Sequence, residues 1–325
     1  MKKLKYLIIA MITGFMFTSC EKDFNISLPD SGKKIVVNSL FDNTDVISVT
    51  VTRSLNPDGT DRVEELKTAK VSLYKDGNFV EQMTYAQSEE DTLLGRFYAT
   101  IVPVSGVNYK VEAEYTGMEK VTTQSIMPPL VELQVDTLRW MVWNEPRDTI
   151  NSVRFRFELN FKDPSAENNK YMLQIAAPIL KIDTIAHTSE FYGWQYAQIL
   201  TPDLADAQTY LDNAVLFTDE QFDGTQKTVS GTATISSYPH VDIRPVDISA
   251  GFYSHYPYVV DKTSLHFELI SLSDDAYLYY KSVIAKIESE SDFYAQPAVI
   301  YSNVKNGFGI FGAKNVSKIN KDVVY

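Results

Sequence analysis

The stretch SVRFRFELNF, residues 152–161, decides the fold class. Apolar side chains occupy every second position, namely Val153, Phe155, Phe157, Leu159 and Phe161. Serine, arginine, glutamate and asparagine fill the positions between them. A period of two is the repeat of a β-strand, in which successive side chains point to opposite faces. The stretch therefore predicts a strand with one buried and one solvated face, in a mainly β protein.

Short strand signals also fill residues 34–127. KVSLYKDGNFVEQMTY (70–85) predicts a hairpin, because Asp76-Gly77 tolerates the positive φ angles of a tight turn. Further β-branched or alternating runs lie at 35–41, 47–53, 95–100, 109–115 and 120–126. Seven or so short strands at this spacing predict an immunoglobulin-like β-sandwich. The MPP triplet at 127–129 interrupts the strands, because proline lacks an amide donor, and marks the end of this domain.

Residues 130–325 predict a second β-rich domain, either a sandwich or barrel-like. Additional strand signals lie at 170–176, 228–236 and 265–272. One amphipathic helix is predicted near 274–289, since Ser273 can cap it and two aspartates follow where the helix dipole favours anions. A threonine cap followed by proline predicts a short helix over 202–212.

The first residues predict export and lipid attachment. Residues 1–19 join a lysine-rich start to an apolar run that is too short for a membrane span, which needs about 20 residues. Cys20, the only cysteine, follows directly. The segment resembles a bacterial lipobox, in which the cysteine is acylated, for example with palmitate, and becomes the mature N-terminus. We therefore expect a signal peptide at 1–19, a lipid on Cys20 and a tether over 20–33. The alternative is an ordinary signal peptide with an incidental cysteine.

Location is indicated by the residues after Cys20. The sequence EKD at 21–23 resembles the signal that exports Bacteroidota lipoproteins to the outer face of the outer membrane. The alternative is a solvated tether of no further meaning. We expect a lipid-anchored protein of the cell outer membrane that faces the exterior.

Charge and cysteine usage exclude several function classes. A single cysteine excludes an internal disulfide and a thiolate-clustered zinc site. Residues 1–19 hold three lysines and no acidic residue, so their removal takes the net charge from −12 to −15. Such acidity argues against nucleic acid as a partner and against adhesion to anionic headgroups.

Motifs of catalysis are missing from the sequence. It contains no HExxH, no GxSxG and no glycine-rich phosphate loop. His240 and Asp242 could place two metal ligands on one side of an extended chain, but a catalytic zinc site needs a third. His266 alternates with Leu265 and Phe267 and is predicted to point away from the core. We predict no catalytic residue, no metal site and no cofactor.

Two aromatic-rich stretches predict a ligand or partner surface. They are FYGWQYAQ (191–198) and the proline- and tyrosine-rich segment 238–260. Tyrosine and tryptophan offer large rigid contact area with a polar tip, which suits sugars and protein interfaces. The predicted surface residues are Trp194, Tyr196, His240, Tyr253, His255 and Tyr256. The alternative is that these side chains cover the core or its rim.

The most specific sequence is DFYAQPAVIYSNVKNGFGIFGA, residues 292–313. It resembles the C-terminal signature of the Bacteroidota lipoproteins grouped as "domain of unknown function 4249". Other blocks of this family resemble the chain in the same order: KIVVNSLF (34–41), YKDG (74–77), FKDPSAENNKY (161–171), FTDEQFDG (217–224) and SLSDDAYLYYKSV (271–283). The resemblance implies a two-domain surface lipoprotein whose gene often lies beside a TonB-dependent transporter gene. It implies no catalytic residues, because none are established for the family.

Three functions stay open on the sequence. The first is a non-enzymatic outer-membrane lipoprotein that helps a TonB-dependent transporter to capture an unknown ligand. The second is a hydrolase of extracellular glycans or peptides, which requires two close carboxylates in a pocket or a third ligand beside His240 and Asp242. The third is an adhesin or structural envelope protein, favoured where no concave pocket exists.

Overall fold

The computed structural model describes residues 33–56, 62–88, 94–141, 152–165, 168–183, 186, 188–204, 206–211, 213–236, 241–244, 258–291 and 296–323. Within these residues the protein is mainly β, as predicted, with several sheets and one helix. The signal peptide, Cys20 and the tether lie outside the described residues.

The strands that precede residue 127 form two packed sheets. They are β1 (Ile35–Asp42), β2 (Ser48–Arg53), β3 (Lys70–Lys75), β4 (Asn78–Gln82), β5 (Thr84–Ala86), β6 (Arg96–Tyr98), β7 (Asn108–Glu114) and β8 (Val121–Ile126). One sheet has the order β4-β3-β7-β8, and β1-β2-β6-β5 belong to the other. Buried side chains of both sheets form one hydrophobic core. This arrangement confirms the predicted β-sandwich.

The predicted hairpin at 70–85 is confirmed. Asp76 and Gly77 connect β3 to β4 with φ angles of 49° and 81°. Two consecutive positive φ angles match the right-handed twist of the flanking strands. Local sequence therefore sets the register of this hairpin.

The remaining elements belong to the second half of the chain. They are β9 (Leu133–Met141), β10 (Ser152–Lys162), β11 (Lys170–Asp183), β12 (Thr188–Tyr196), β13 (Gln198–Leu200), β14 (Gln208–Tyr210), β15 (Ala214–Thr218), β16 (Gln226–Ser236), β17 (Val241–Arg244), β18 (Tyr258–Asp261), β19 (Ser264–Leu272), β20 (Phe308–Asp322) and the helix α1 (Asp274–Ser291). One sheet has the order β13-β16-β10-β9. The largest sheet has the order β14-β15-β11-β19-β20-β1-β2-β6-β5, and β12 and β18 also pair with β11.

Strand β10 follows the alternation seen in its sequence. Phe155, Phe157 and Leu159 are fully buried, and β10 lies between β16 and β9. The ring of Phe157 packs edge-on against Phe267 of β19, with 6.2 Å between ring centroids. The second hydrophobic core therefore lies between this sheet and the largest sheet.

The short helix predicted over 202–212 is wrong. Residues 202–203 form a turn, and β14 occupies Gln208–Tyr210. Thr201 Oγ1 donates to the Ser230 carbonyl at 2.9 Å, and Asp203 Oδ2 accepts from the Ser230 amide at 2.7 Å. The threonine expected to cap a helix instead binds strand β16, as does Asp203, so tertiary hydrogen bonds override the local signal.

Helix α1 is confirmed and packs on the largest sheet. Ser273 Oγ accepts the Ala276 amide at 3.2 Å, which is the bond of a helix N-cap, and also the Ala313 amide of β20 at 3.0 Å. Ala276, Tyr280 and Ile284 share the buried face of the helix. Among the described residues, no helix combines the length and the apolar character needed to cross a membrane.

Strand β20 joins the two halves of the chain. It pairs in parallel with β1, from Val36 opposite Phe308 to Asp42 opposite Lys314, and antiparallel with β19. Phe311 and Ala313 complete the core built on residues 35–127. Glycine is required at position 309, because φ is +112° and a Cβ there would lie 2.1 Å from the Val37 carbonyl oxygen. The division into domains 34–127 and 130–325 stays a prediction.

Candidate functional site

Strand β12 presents aromatic side chains to solvent. Among the described strands it pairs with β11 alone, so no described strand occupies its other edge. Phe191, Tyr192 and Trp194 are 56%, 62% and 38% exposed. With Tyr258 and His266, which contact them, these residues are called the aromatic face. An exposed cluster of large apolar rings is the usual mark of an interaction surface.

The rings of the aromatic face pack on one another. Phe191 contacts Trp194 with 5.0 Å between centroids, and Tyr192 contacts Tyr258 at 4.5 Å. A β-bulge between β11 and β12 positions the rings of Phe191 and Tyr192. Gly193 pairs with Ile179 and Phe191 pairs with Leu180, which leaves Tyr192 as the extra residue. Bulges twist a strand and re-aim its side chains. The bulge therefore accounts for consecutive exposed rings on one short strand.

His266 lies beneath Trp194. Their rings are stacked, with 4.5 Å between centroids and 22° between planes. The imidazole Nδ1 lies 2.6 Å from Asn320 Oδ1, and Nε2 lies 3.0 Å from Glu268 Oε1. Two acceptors facing the two ring nitrogens match the protonated imidazolium, which donates from both. His266 also points away from the side that buries Leu265, as predicted.

The environment of His266 favours its charged form. The hydrogen bond to Glu268 raises the pKa of His266 above 6.5, against the opposing effect of burial. Burial alone would raise the pKa of Glu268, but the hydrogen bond from His266 and the charge of Lys318, whose Nζ lies 3.3 Å away, outweigh it and hold that pKa below 4.5. A cationic imidazole stacked on an indole adds a cation–π attraction. The aromatic face thus rests on a charged polar network.

The predicted surface residues divide into two groups. Trp194 and Tyr196 lie two positions apart on β12, and burial, followed by the charge of Glu268, raises the pKa of Tyr196. The others lie outside the described residues, namely His240, Tyr253, His255 and Tyr256. Trp194 is exposed and Tyr196 is half-buried, and their role as a ligand or partner surface stays a prediction. The sequence did not predict the stack of Trp194 on His266.

A concave site, called the cleft, lies where α1 begins. It has a volume of about 490 Å³ and is lined by residues 105–106, 126–129, 168–169 and 272–275. The four segments are distant in sequence and meet only in the fold. No pattern in the sequence predicted this site.

The family follows from a match along nearly the whole fold. The model of the family described as "Domain of unknown function (DUF4249)" matches residues 21–320. The chain belongs to this family. The predicted membership of this family is confirmed, whereas the bacterial phylum and the lipid anchor stay predictions. No curated protein matches the chain.

Two segments within the matched range meet in the structure. The segments 161–171 and 217–224 bring Asp163, Asp219 and Asp223 together, with one carboxylate oxygen of each within 4.8 Å of the others. Such a group of oxygens is typical of a cation site. No sequence motif predicted it, although two of its aspartates follow buried strands directly.

Protein donors already engage this aspartate cluster. Asp163 accepts hydrogen bonds from the Tyr171 hydroxyl and from the Gly224 amide at 2.8 Å, and Asp219 accepts the Asn169 amide at 2.7 Å. Burial raises the pKa of Asp163, although these hydrogen bonds oppose it. We interpret the cluster as a connection between two loops. Asp163 and Asp219 are buried, so they do not form the accessible carboxylate pair that a hydrolase requires.

Proposed function

We propose that the protein is a non-enzymatic surface lipoprotein of a Bacteroidota outer membrane that acts with a TonB-dependent transporter in ligand uptake. Acylated Cys20 is the anchor in this proposal, and the aromatic face is the surface that contacts the transporter. The observation that supports it is the exposure of Phe191, Tyr192 and Trp194 on a strand whose second edge no described strand occupies.

The aromatic face has the physical properties of a protein contact. Burial of apolar area stabilises a complex by about 25 cal/mol per Å². Large aromatic rings with few rotatable bonds supply this area at a small entropic cost, and they dominate measured interfaces. The edge of β12 that no described strand occupies adds backbone donors and acceptors that a strand of the partner can pair with.

The tether fits the same proposal. Fully extended, residues 20–33 span at most about 50 Å. A chain of this length allows a domain that begins at β1 to reach a neighbour in the same membrane while its lipid stays inserted. A net charge of −15 after removal of residues 1–19 keeps the domain away from anionic headgroups.

Co-purification tests the contact. The wild-type protein and the variant Trp194→Ala are expressed with the transporters of the source organism and recovered from detergent-solubilised outer membranes, with partners quantified by mass spectrometry. We expect a TonB-dependent transporter with the wild type and at least tenfold less with the variant. Phe79→Ala is the matched control, since Phe79 is 60% exposed on β4, outside the aromatic face. Recovery without any transporter would contradict the proposal, and recovery of another surface protein would favour the adhesin alternative.

Anchoring is tested separately. Cells grown with an alkyne analogue of palmitate should label the wild-type protein and not Cys20→Ser. External protease should digest the wild-type protein on intact cells. Labelling that survives the substitution would refute Cys20 as the lipid attachment site, and protection from protease would refute exposure on the outer face.

A further inference from the structure

The cleft has the size and floor of a small-molecule site. Its volume of about 490 Å³ falls within the range of about 300 to 1,000 Å³ that is usual for ligand pockets. Pro128 and Pro129, both half-buried, form an apolar floor. An apolar group of a ligand therefore loses contact with water when it enters the cleft.

The charged groups at the cleft are acidic. Asp274 and Asp275 line it from the first turn of α1, and none of the described lining residues is basic. Lys170 Nζ lies 2.6 Å from Asp274 Oδ1 and neutralises that carboxylate. Asp275 is half-buried and accepts a hydrogen bond from the neutral Tyr301 hydroxyl at 2.8 Å. Its charge therefore has no ionic partner among the contacts of the described residues.

Burial raises the pKa of Asp275 above its usual 3.8, and the neighbouring charge of Asp274 acts in the same direction. Hydrogen bonds from the side chains of Tyr301, Asn303 and Ser125 oppose the shift. A carboxylate in this state is stabilised by a positive charge within hydrogen-bond distance. The N-terminus of a helix favours anions, but the two aspartates already occupy that position. A ligand cation would therefore meet a net attraction at Asp275.

A buried polar pair lies behind the wall of the cleft. Asn315 is 2% exposed, and its Nδ2 donates to Ser105 Oγ at 2.7 Å and to the Pro128 carbonyl at 2.9 Å, two groups of the wall. Among the described residues, Asn315 Oδ1 has no hydrogen-bond partner, and neither has Ser271 Oγ, which lies opposite it on β19. Both atoms are buried and do not line the cleft, so Asn315 supports the wall without offering a contact to a ligand.

These features select one class of ligand. An anion would be repelled by Asp275, whereas Asp274 is already paired with Lys170. A sugar would find no ring to stack on, since none of the described lining residues is aromatic. We propose that the cleft binds small amphipathic primary amines, such as the free amino end of a short apolar peptide, with the ammonium at Asp275 and the apolar part over Pro128 and Pro129.

This site is separate from the aromatic face. His266 and Leu272 are six residues apart on β19, which corresponds to about 20 Å along the strand. Failure of the amine proposal would leave the transporter contact untouched, and the reverse also holds.

Calorimetric titration of the purified full chain tests the proposal. The probe is leucyl-leucine amide, which carries one positive charge on an apolar body, and the comparison ligand is its N-acetylated form, which is neutral. Hexylamine serves as an amine without peptide groups. We expect the free dipeptide amide and hexylamine to bind, and acetylation to weaken binding at least tenfold. Absence of binding by both amines, or equal binding of the acetylated peptide, would overturn the proposal.

Variants locate the site. Asp275→Asn should weaken binding of the dipeptide amide about tenfold, whereas Glu290→Gln, which removes a charge from the far end of α1, should not. Ile126 is 59% exposed at the cleft and tolerates substitution. Ile126→Arg should abolish binding by placing a cation there, and Ile126→Gln should retain most of it. Unchanged affinity in both Asp275→Asn and Ile126→Arg would refute the assignment of the cleft.

Discussion

The two ends of strand β19 differ in how their polar groups are satisfied. At its start, His266 has acceptors on both ring nitrogens, and Glu268 is paired with Lys318. At its end, Ser271 Oγ and the Asn315 Oδ1 opposite it have no hydrogen-bond partner among the described residues. The first end supports exposed rings on a complete polar network. The second lies behind a cleft lined by two aspartates and apolar side chains, so the two ends are suited to different partners.

The largest expected loss of stability follows from removing the side chain of Phe267, on whose packing both ends of β19 depend. Phe267 is fully buried at the centre of the second core, in contact with Phe157. Phe267→Ala should lower the free energy of unfolding by about 3 to 5 kcal/mol, because it deletes a ring and leaves a cavity. Urea unfolding measures this loss, with the half-exposed Ile287→Ala on α1 as a control. A loss below about 1 kcal/mol would show that the strand is not the common support.

Substitution of two asparagines on β20 allows a direct comparison of the stability contributed at the two ends of β19. Asn315→Ala should cost about 1 to 3 kcal/mol, since the Ser105 hydroxyl and the Pro128 carbonyl lose a buried donor. Asn320→Ala removes only the acceptor beside His266 and should cost less than about 1 kcal/mol. Urea midpoints of the two variants decide the comparison, and equal losses would contradict it.

Much of the fold could be predicted because its signals are local. The alternation in β10, the Asp76-Gly77 turn and the Ser273 cap each act within a few residues. The pairing of β1 with β20 joins residues more than 270 positions apart, and no local pattern specifies it. The wrong helix over 202–212 has the same origin, since its cap residue Thr201 and also Asp203 bind Ser230 of a distant strand.

The candidate sites follow the same rule. Trp194 could be identified because a run of aromatic residues is visible in one segment. Its stack on His266 depends on the pairing of β12 and β19 with opposite edges of β11, which the sequence does not encode locally. The cleft was not predicted at all, because its walls come from four separate segments.

The stability contributed by the start of β19 should depend on pH. His266 has a raised pKa, so its stabilising contribution is complete below 6.5 and is lost as the pH rises through the folded pKa. Glu268 has a lowered pKa, so its contribution is present above 4.5 and is lost as the pH falls through its folded value. The contribution of the pair is therefore greatest between these two values.

Urea midpoints at pH 5.5 and 8.5 test this dependence. The wild type should lose more stability than His266→Gln over this interval, because the variant has no imidazole to titrate. Trp194→Phe keeps the imidazole and should behave as the wild type does. An identical pH response in the wild type and His266→Gln would contradict the assigned charge of His266.

The smallest expected effect is at the cleft. Asp274→Asn removes a charge from the first turn of α1 and its pair with Lys170, and should cost about 0.3 to 1 kcal/mol, because the side chain of Asp274 is exposed. Asp275→Asn should cost less, since burial already disfavours its charge and raises its pKa. Thermal unfolding at neutral pH compares the two. A larger loss for Asp275→Asn would show that its carboxylate is already compensated without a ligand.

The parallel pairing of β1 with β20 fixes the order in which the parts of this protein can fold. A ribosome delivers the N-terminal strands first, yet their core lacks Phe311 and Ala313 until the last described strand has been made. Until then β1 is an open edge that can pair with other chains. The N-terminal core therefore cannot close during early synthesis. In a chain truncated before residue 308, this core would stay incomplete.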